Sequence, residues 1–430
     1  MVEKKSVLRL LKYFGPGAIL ASMTIGAGNI VLAPRVGAWA IPLYSSLWIV
    51  TFAMFSKGLI AYMATRYTVL SGEHIMDLFY RFKPKGWINL ISLILIITLM
   101  PFMIATFLTI LGNTVTLFTN VGNYLIWGVS IGLFFAFLGV IGSYQLLQKI
   151  QVVFALFLAF GAIVAIIVVK PDFFDIFVNA FHIQVPKIAT WVSSEDIIAV
   201  PVMLQLAAVY GTMNGVYNDF TAYISWWHLK TKDKKVTKKS EIFKGMKVDL
   251  TLSLIIVAIF TIAFMAAGAL ILGGQQIVPN GVDLISAQQS IYSQINPIVG
   301  SIIYPIAILI VIGGTIYAGM DALPRILKVW ADPLSKRLKN WSFKKFQIFV
   351  ILYLLCTSVP LMFFESPILL MTAYLLILGV IGMWLLGWAS LYANQKYLPE
   401  ENRFKTWSFA LMFFANIATT IFIIAIFIIK

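Results

Sequence analysis

The stretches Ile25-Gly26-Ala27-Gly28-Asn29 and Gly211-Thr212-Met213-Asn214-Gly215 interrupt two long apolar segments at corresponding places in the two halves of the chain. Glycine weakens a helix, and a helix that breaks inside a bilayer exposes backbone groups that lipid cannot satisfy. Such breaks are tolerated where they line a cavity, and paired breaks in matching halves indicate the substrate site of a secondary transporter. We therefore predict substrate-binding residues at Gly26, Ala27, Gly28, Asn29, Gly211, Thr212, Met213, Asn214 and Gly215.

The composition is typical of an all-α membrane protein. Hydrophobic residues make up 60% of the 430 residues, charged residues make up 11%, and the mean hydropathy is +0.92. Apolar runs of about 20 residues can each cross a bilayer. We predict eleven transmembrane helices, at about 13–36, 43–66, 87–111, 123–142, 147–169, 197–227, 248–272, 295–321, 346–364, 367–392 and 406–429. The longest connections are too short to fold alone, so residues 1–430 form one transmembrane domain.

The distribution of positive charge predicts the orientation of the chain. The net charge of +15 comes from Lys and Arg residues that cluster in alternate loops, most densely between Lys230 and Lys247. Three of the opposite loops, at about 112–122, 273–294 and 365–366, contain none, and the fourth, 171–196, has only Lys187 beside four acidic residues. By the positive-inside rule the N-terminus is cytoplasmic and the C-terminus, after eleven spans, is external. This alternation favours the plasma membrane and the lipid bilayer as the partner, and it argues against nucleic acid.

The positions of the two breaks predict the architecture. The first span runs outward and the sixth runs inward, with five spans in each set, so the chain reads as a 5+5 inverted repeat with one extra span. The repeats cover about 13–170 and 197–392, and the extra span covers 406–429. Both breaks would then meet near the middle of the bilayer. A second interpretation stays open, in which the glycines are only small-residue packing contacts between helices.

Six short motifs follow one another along the chain: Gly15-Pro16-Gly17, Gly28-Asn29, Ser46-Leu47-Trp48, Ser71-Gly72, the segment 142–150 (GSYQLLQKI) and Gly211-Thr212. In order and spacing they resemble the Nramp family of metal-ion transporters, within the amino acid–polyamine–organocation superfamily. The resemblance implies a LeuT-type fold with broken first and sixth helices, and alternating access around a fixed site. It also implies symport of a divalent metal ion.

The chain departs from the motifs of that family where the metal would bind. The family pattern Asp-Pro-Gly-Asn reads Gly26-Ala27-Gly28-Asn29 here, and the Met-Pro-His pattern of the sixth span is absent. Asn29 and Met213 are the candidate metal ligands that remain. Divalent cations prefer carboxylate oxygens, so an altered substrate site is expected. Two functions therefore stay open: transport of a divalent metal ion, or of another small solute such as an amino acid or other polar organic molecule.

Charged residues inside the predicted spans form a second group of candidates. Lys57 lies in the middle of the second span, Asp219 follows the second break, and Asp321 lies near the end of the eighth span. An intramembrane lysine is costly and marks a functional hypothesis. Lys57 is expected to pair with Asp219 first and Asp321 second. This ion pair would either be a fixed structural contact or form and break during transport. Alternatively, the Lys57 side chain takes the place of a coupling cation.

Other polar residues are expected at span ends. Arg35 is expected to be an interfacial anchor, and Asp249, His74 and His228 are expected to meet water. The chain shows no phosphate-binding loop, nucleophile elbow or catalytic dyad, so we predict no enzyme activity and no cofactor. The expected ligands are a small solute or ion and a transported or coupling cation, which would be a divalent metal, H⁺ or Na⁺. The functional unit is expected to be a monomer.

Overall fold

The computed structural model describes residues 15–24, 28–141, 157, 160–193, 201–232, 239–280, 284–364 and 366–429. Within these residues the chain is helical almost throughout, as the apolar composition predicts, because a helix satisfies its own backbone hydrogen bonds in lipid. Eighteen α-helices and one small sheet are described.

The first half of the chain contains α1 (Pro16–Thr24), α2 (Ile30–Trp39), α3 (Trp48–Ser71), α4 (Ile75–Phe79), α5 (Trp87–Thr119), α6 (Tyr124–Ile141), α7 (Phe160–Val169) and α8 (Phe173–Asn179). The second half contains α9 (Val202–Thr212), α10 (Tyr217–Lys232), α11 (Lys239–Ala267), α12 (Leu284–Ser293), α13 (Tyr304–Ala331), α14 (Lys336–Lys339), α15 (Phe343–Met362), α16 (Pro367–Tyr374), α17 (Gly382–Lys396) and α18 (Thr406–Ile428). Strands β1 (Ala40–Ile41) and β2 (Lys187–Ile188) pair antiparallel, with Ala40 opposite Ile188.

Three segments of π-helix extend these helices. Gly268–Leu272 continues α11, Val299–Ile303 precedes α13, and Leu375–Ile381 joins α16 to α17. A π-helix widens one turn by an extra residue, and such turns are frequent at functional sites. The segment Leu375–Ile381 packs against α9, next to the predicted substrate residues.

Eight helices of the described residues are long and apolar enough to cross a membrane, and Ile30–Trp39 and Phe160–Val169 are shorter apolar helices. Several helices extend beyond the apolar runs that predicted them. The predicted span 295–321 belongs to a helix that continues to Ala331, and the span 87–111 belongs to one that continues to Thr119. A helix satisfies its own backbone, so it can continue past the bilayer with polar residues on its surface.

The long helices pack in two groups. In the first group α3 packs against α11 and α10, and α11 packs against α1 and α2. In the second group α5, α6, α13 and α15 all pack against one another. The second and seventh predicted spans correspond to α3 and α11, which are in contact. The third and eighth spans correspond to α5 and α13, and the fourth and ninth to α6 and α15, and each of these pairs is also in contact. These three contacts each join a long helix of the first half to one of the second half. The bounds of the two repeats stay a prediction.

Candidate functional site

Residues 213–216 separate α9 from α10 and form the interruption in the second half of the chain. Asn214 has a φ of 59° and Gly215 has a φ of 90°. The left-handed region is open to glycine at no steric cost, and asparagine is one of the few other residues that enter it readily. These two residues follow the end of α9 at Thr212, where the Met213 amide donates to the carbonyl oxygens of Val209 and Tyr210, both at 3.2 Å. A carbonyl oxygen has two lone pairs, so the carbonyl groups of this turn can accept further hydrogen bonds.

The Lys57 side chain supplies donors for those carbonyl groups. Its Nζ atom donates to the carbonyl oxygens of Tyr210 at 3.1 Å, Gly211 at 2.9 Å and Gly215 at 2.6 Å. Lys57 is fully buried. Among the described residues no carboxylate oxygen lies within 4.0 Å of Nζ, so the expected direct ion pair with Asp219 or Asp321 is not what the structure shows.

The two aspartates have other partners. Asp219 lies in the first turn of α10, where one carboxylate oxygen accepts from the Val216 amide at 3.0 Å and the other accepts from Asn218 Nδ2 at 2.9 Å. An acidic side chain at this position also faces the positive end of the helix dipole. Asp321 is partly exposed and pairs with Arg325 one turn along α13, at 2.9 Å. It therefore lies outside the predicted charge network.

The first predicted stretch contacts the second through Gly28 and Asn29. The Thr212 hydroxyl donates to Asn29 Oδ1 at 2.7 Å, and both side chains are buried. A Cβ atom on Gly28 would lie 2.1 Å from Thr212 Cγ2, so only glycine fits there. Gly26 and Ala27 lie outside the described residues. The glycines thus act as close packing contacts, and they also bring the polar groups of the two stretches together.

A small cavity of about 50 Å³ lies beside this contact. Its polar lining residues are Thr24, Thr212, Asn218, Asp219, Thr315 and Tyr374. Two thioether side chains, Met103 and Met371, also line it. Gly28 and Gly215 also line it, whereas Asn29, Met213 and Lys57 are not lining residues.

Met103, Thr315 and Met371 are three of the lining residues that were not predicted from the sequence. Each lies within a long apolar span and has no local motif, so only the packing of α5, α13 and α16 brings it to the cavity.

Two asparagines beside the interruption have unsatisfied amide groups. Among the described residues, both polar side-chain atoms of Asn214 are buried without a hydrogen-bond partner, and so is Asn29 Nδ2. A buried polar atom without a partner is costly, and such atoms are frequent where a ligand or water binds. Both asparagines were predicted as site residues.

A larger cavity of about 510 Å³ lies between α10 and α13, at the end of α10 that carries Lys230 and Lys232. Its lining includes His74, His228 and Asp321. It shares Ala322 and Ile326 with the small cavity, so the two cavities adjoin each other along α13.

His74 is buried at the edge of the larger cavity, contrary to the expectation that it meets water. Its Nδ1 accepts from the Met76 amide at 3.3 Å and caps α4, and its Nε2 lies 2.9 Å from Ser225 Oγ. Burial lowers the pKa of His74 to about 3, with a smaller contribution from His228, whose ring centroid lies 5.3 Å away. Within the described residues no three His, Cys, Asp or Glu side chains are grouped so as to hold a metal ion.

Asp249 is fully buried, so the expectation that it meets water is also wrong. Its carboxylate accepts from the backbone amides of Gly15 and Gly17 at 2.9–3.1 Å, from the Tyr223 hydroxyl at 2.9 Å and from Trp227 Nε1 at 3.3 Å. The first amides of a helix have no partner within it, and a carboxylate satisfies them well.

Arg35 is likewise buried within the protein, so the expectation that it is an interfacial anchor is wrong. Its guanidinium donates a hydrogen bond to Gln205 Oε1 on α9 at 2.9 Å. This hydrogen bond joins α2 to α9, the two helices that follow the first stretch and precede the second.

Solved structures of transporters share this fold. A manganese transporter from Eremococcus coleocola, solved with an aromatic bis-isothiourea compound, matches with a TM-score of 0.69 and 13% identity over 97% of this chain and 86% of that chain. Mhp1, a nucleobase-cation-symport-1 family transporter solved closed with bromovinylhydantoin bound, matches with a TM-score of 0.59 and 15% identity over 96% of this chain and 91% of that chain. At these identities the likeness shows the fold, which is the predicted LeuT-type fold.

No curated protein matches the sequence. The family model for natural resistance-associated macrophage protein-like proteins matches residues 17–430. The match spans nearly the whole chain, including both glycine-containing stretches and all the long helices. The chain therefore belongs to the Nramp family, as its short motifs indicated.

Proposed function

We propose that the chain is a secondary active transporter of divalent metal ions, with an altered substrate site in the cavity beside Asp219. The observation that carries this proposal is the charge of the cavity. Asp219 is its only charged lining residue among those described, while Lys57 points away into the backbone of the interruption. A carboxylate in a buried, otherwise uncharged cavity favours a cation.

The size of the cavity supports an ion rather than an organic solute. Sites for drug-sized molecules have volumes of about 300–1,000 Å³. The cavity of about 50 Å³ has room for an ion and a few water molecules. An amino acid would fit only after the surrounding helices moved apart, so we place the organic solute second.

The proposed ligand set differs from the family pattern in the position of its carboxylate. The first stretch has Gly26 where the family has aspartate, and the carboxylate at the cavity comes instead from Asp219 on α10. Oxygen atoms of Thr24, Thr212 and Asn218 lie in the same lining, and Met103 and Met371 add thioethers, which suit softer divalent ions. One carboxylate gives a weaker site than two, so we expect low affinity.

The adjoining cavities support a route for release. The larger cavity lies next to the small one and opens beside the basic end of α10, which the charge pattern assigns to the cytoplasm. Alternating access would move the helices beside the two glycine-containing stretches, α1, α2, α9 and α10, relative to the group of α5, α6, α13 and α15. Each chain contains a complete cavity, so a monomer is the proposed functional unit.

Uptake by proteoliposomes tests this proposal. We expect saturable Mn²⁺ uptake by the native chain and a loss of at least about tenfold in Asp219→Asn, since the cavity then has no charge to offset the cation. Asp172→Asn is the matched control, because Asp172 is exposed at the start of α8 and lines neither cavity. Absence of metal uptake, together with uptake of an amino acid from a labelled panel, would establish the second function instead.

A gain-of-function variant tests the altered ligand set. Gly26→Asp restores the family's carboxylate, so we expect tighter Mn²⁺ binding by isothermal titration, by about tenfold or more. If the native chain already binds Mn²⁺ tightly and Gly26→Asp does not change the affinity, the proposed site chemistry is incorrect.

A further inference from the structure

Three backbone carbonyl oxygens converge on one point at the interruption between α9 and α10. Those of Tyr210 and Gly211 belong to the last turn of α9, and that of Gly215 comes from the residue with a φ of 90°. The last carbonyl groups of a helix carry the negative end of its dipole. The chain path therefore creates a small electronegative site of neutral oxygens inside the membrane-spanning part of the protein. The Asp219 carboxylate is close enough to interact electrostatically with a cation at this site.

The ammonium group of Lys57 matches this site in number and geometry. An ammonium has three N–H donors, and the three carbonyl oxygens lie 2.6–3.1 Å from Nζ. Lys57 also lies 5.5 Å from the centre of the Tyr210 ring, which adds a cation–π contact. We propose that these carbonyl groups form a monovalent-cation site that Lys57 occupies as a tethered cation.

The position of Lys57 explains why its Nζ atom stays at the interruption. It lies in the middle of α3, far from either end of that helix, and its side chain is completely buried. A lysine this far from both interfaces cannot extend its ammonium to the lipid headgroups. The ammonium therefore remains at the interruption, and a free ion has no room to enter.

The chemistry of the site defines which ligands can replace the lysine. Neutral carbonyl oxygens at these distances suit ammonium and monovalent ions of similar radius, such as K⁺. They suit divalent ions poorly, because those ions require carboxylate oxygens. This inference does not depend on which substrate the protein transports, since Lys57 is not a lining residue of the substrate cavity.

Removal of the side chain should open the site to a soluble cation. We expect Lys57→Ala to lower the midpoint of thermal unfolding in detergent by about 5–10 °C, because three charge-assisted hydrogen bonds are lost. Methylammonium chloride should restore at least half of that loss. Choline chloride at the same concentration should not, since choline is too large and controls for ionic strength.

Lys57→Met is the matched control. Its unbranched apolar side chain fills the space of the lysine stem, so it should be destabilised and should not respond to methylammonium. The native chain, whose site is occupied, should not respond either. An equal response of Lys57→Ala to methylammonium and choline, or an equal gain in Lys57→Met, would overturn the proposal.

Lys57→Gln provides a second test that does not require the alanine variant to fold. Glutamine retains N–H donors but has no charge. If the site requires a cation, Lys57→Gln is less stable than the native chain, with a midpoint lowered by several degrees. If it is as stable as the native chain, a neutral donor is sufficient and the carbonyl groups do not form a cation site.

Discussion

At the scale of single residues, Asp249 connects three helices through one carboxylate. It lies in α11, accepts from the first amides of α1, and accepts from Tyr223 and Trp227 of α10. Gly17 is required at this contact, because a Cβ atom there would lie 2.6 Å from the Asp249 carbonyl oxygen. The motif Gly15-Pro16-Gly17 thus has a structural role: it lets the start of α1 approach α11 closely.

Replacing this carboxylate should destabilise the protein. Asp249→Asn turns an acceptor of at least four N–H and O–H groups into an amide that presents its own N–H groups to them. We expect a loss of about 2–4 kcal/mol in thermal unfolding experiments in detergent. Asp332→Asn is the control, because its ion pair with Lys328 is partly exposed and should cost less than about 1 kcal/mol. Similar effects of the two substitutions would show that the Asp249 contacts add little.

The partners of charged residues differ in how far a sequence can reveal them. Arg325 follows Asp321 by four residues on one helix, so their pairing could have been predicted from the spacing. The partners of Lys57 are main-chain carbonyl groups. Every residue has such a group, so the identity of a residue does not indicate which carbonyl groups Lys57 contacts. Asp249 lies close to the lysine-rich loop and therefore looked solvated, although the packing of α1 and α10 buries it.

At the scale of helices, the all-helical class and the position of several spans could be predicted because hydropathy acts locally, whereas helix ends and contacts could not. The described residues contain eight helices that are long and apolar enough to cross a membrane, and the predicted count of eleven stays a prediction. The apolar run 406–429 corresponds to α18, Thr406–Ile428, almost residue for residue. The contact of the first stretch with the second depends on packing over long sequence separation. It places Gly28 against Thr212, and it places Gly211 against the carbonyl oxygen of Leu375 in a π-helix.

A pair of substitutions tests the contact between the two stretches. Gly28→Ala should cost about 1–3 kcal/mol, because its Cβ atom would clash with Thr212 Cγ2. Thr212→Ser removes that methyl group and keeps the hydroxyl that donates to Asn29. The double variant should therefore recover part of the loss in a thermal-stability cycle.

Gly319→Ala is the control for this cycle, since the nearest heavy atom to its Cβ position is 3.6 Å away. Additive effects of Gly28→Ala and Thr212→Ser would contradict close packing between the two stretches.

At the scale of the whole molecule, the structure brings several segments of predicted cytoplasmic location to one side. His74 after α3, His228 near the end of α10, and Asp321 and Arg325 on α13 all line the larger cavity. These segments are followed or preceded by the lysine-rich loops of the sequence. A common side for these loops is what the positive-inside rule requires, and that rule predicts that this side is cytoplasmic.

Accessibility of single cysteines tests that orientation. Cys356 is an exposed free cysteine, so Cys356→Ser provides the background. Phe118→Cys lies in the last turn of α5, next to a loop without Lys or Arg. Ser240→Cys lies at the start of α11, beside the lysine-rich loop. Both positions are exposed, so both thiols can react. In intact cells a membrane-impermeant maleimide should label Phe118→Cys, and it should label Ser240→Cys only after permeabilisation. The reverse pattern would place the larger cavity outside the cell, and the proposed route would then describe uptake into the site rather than release from it.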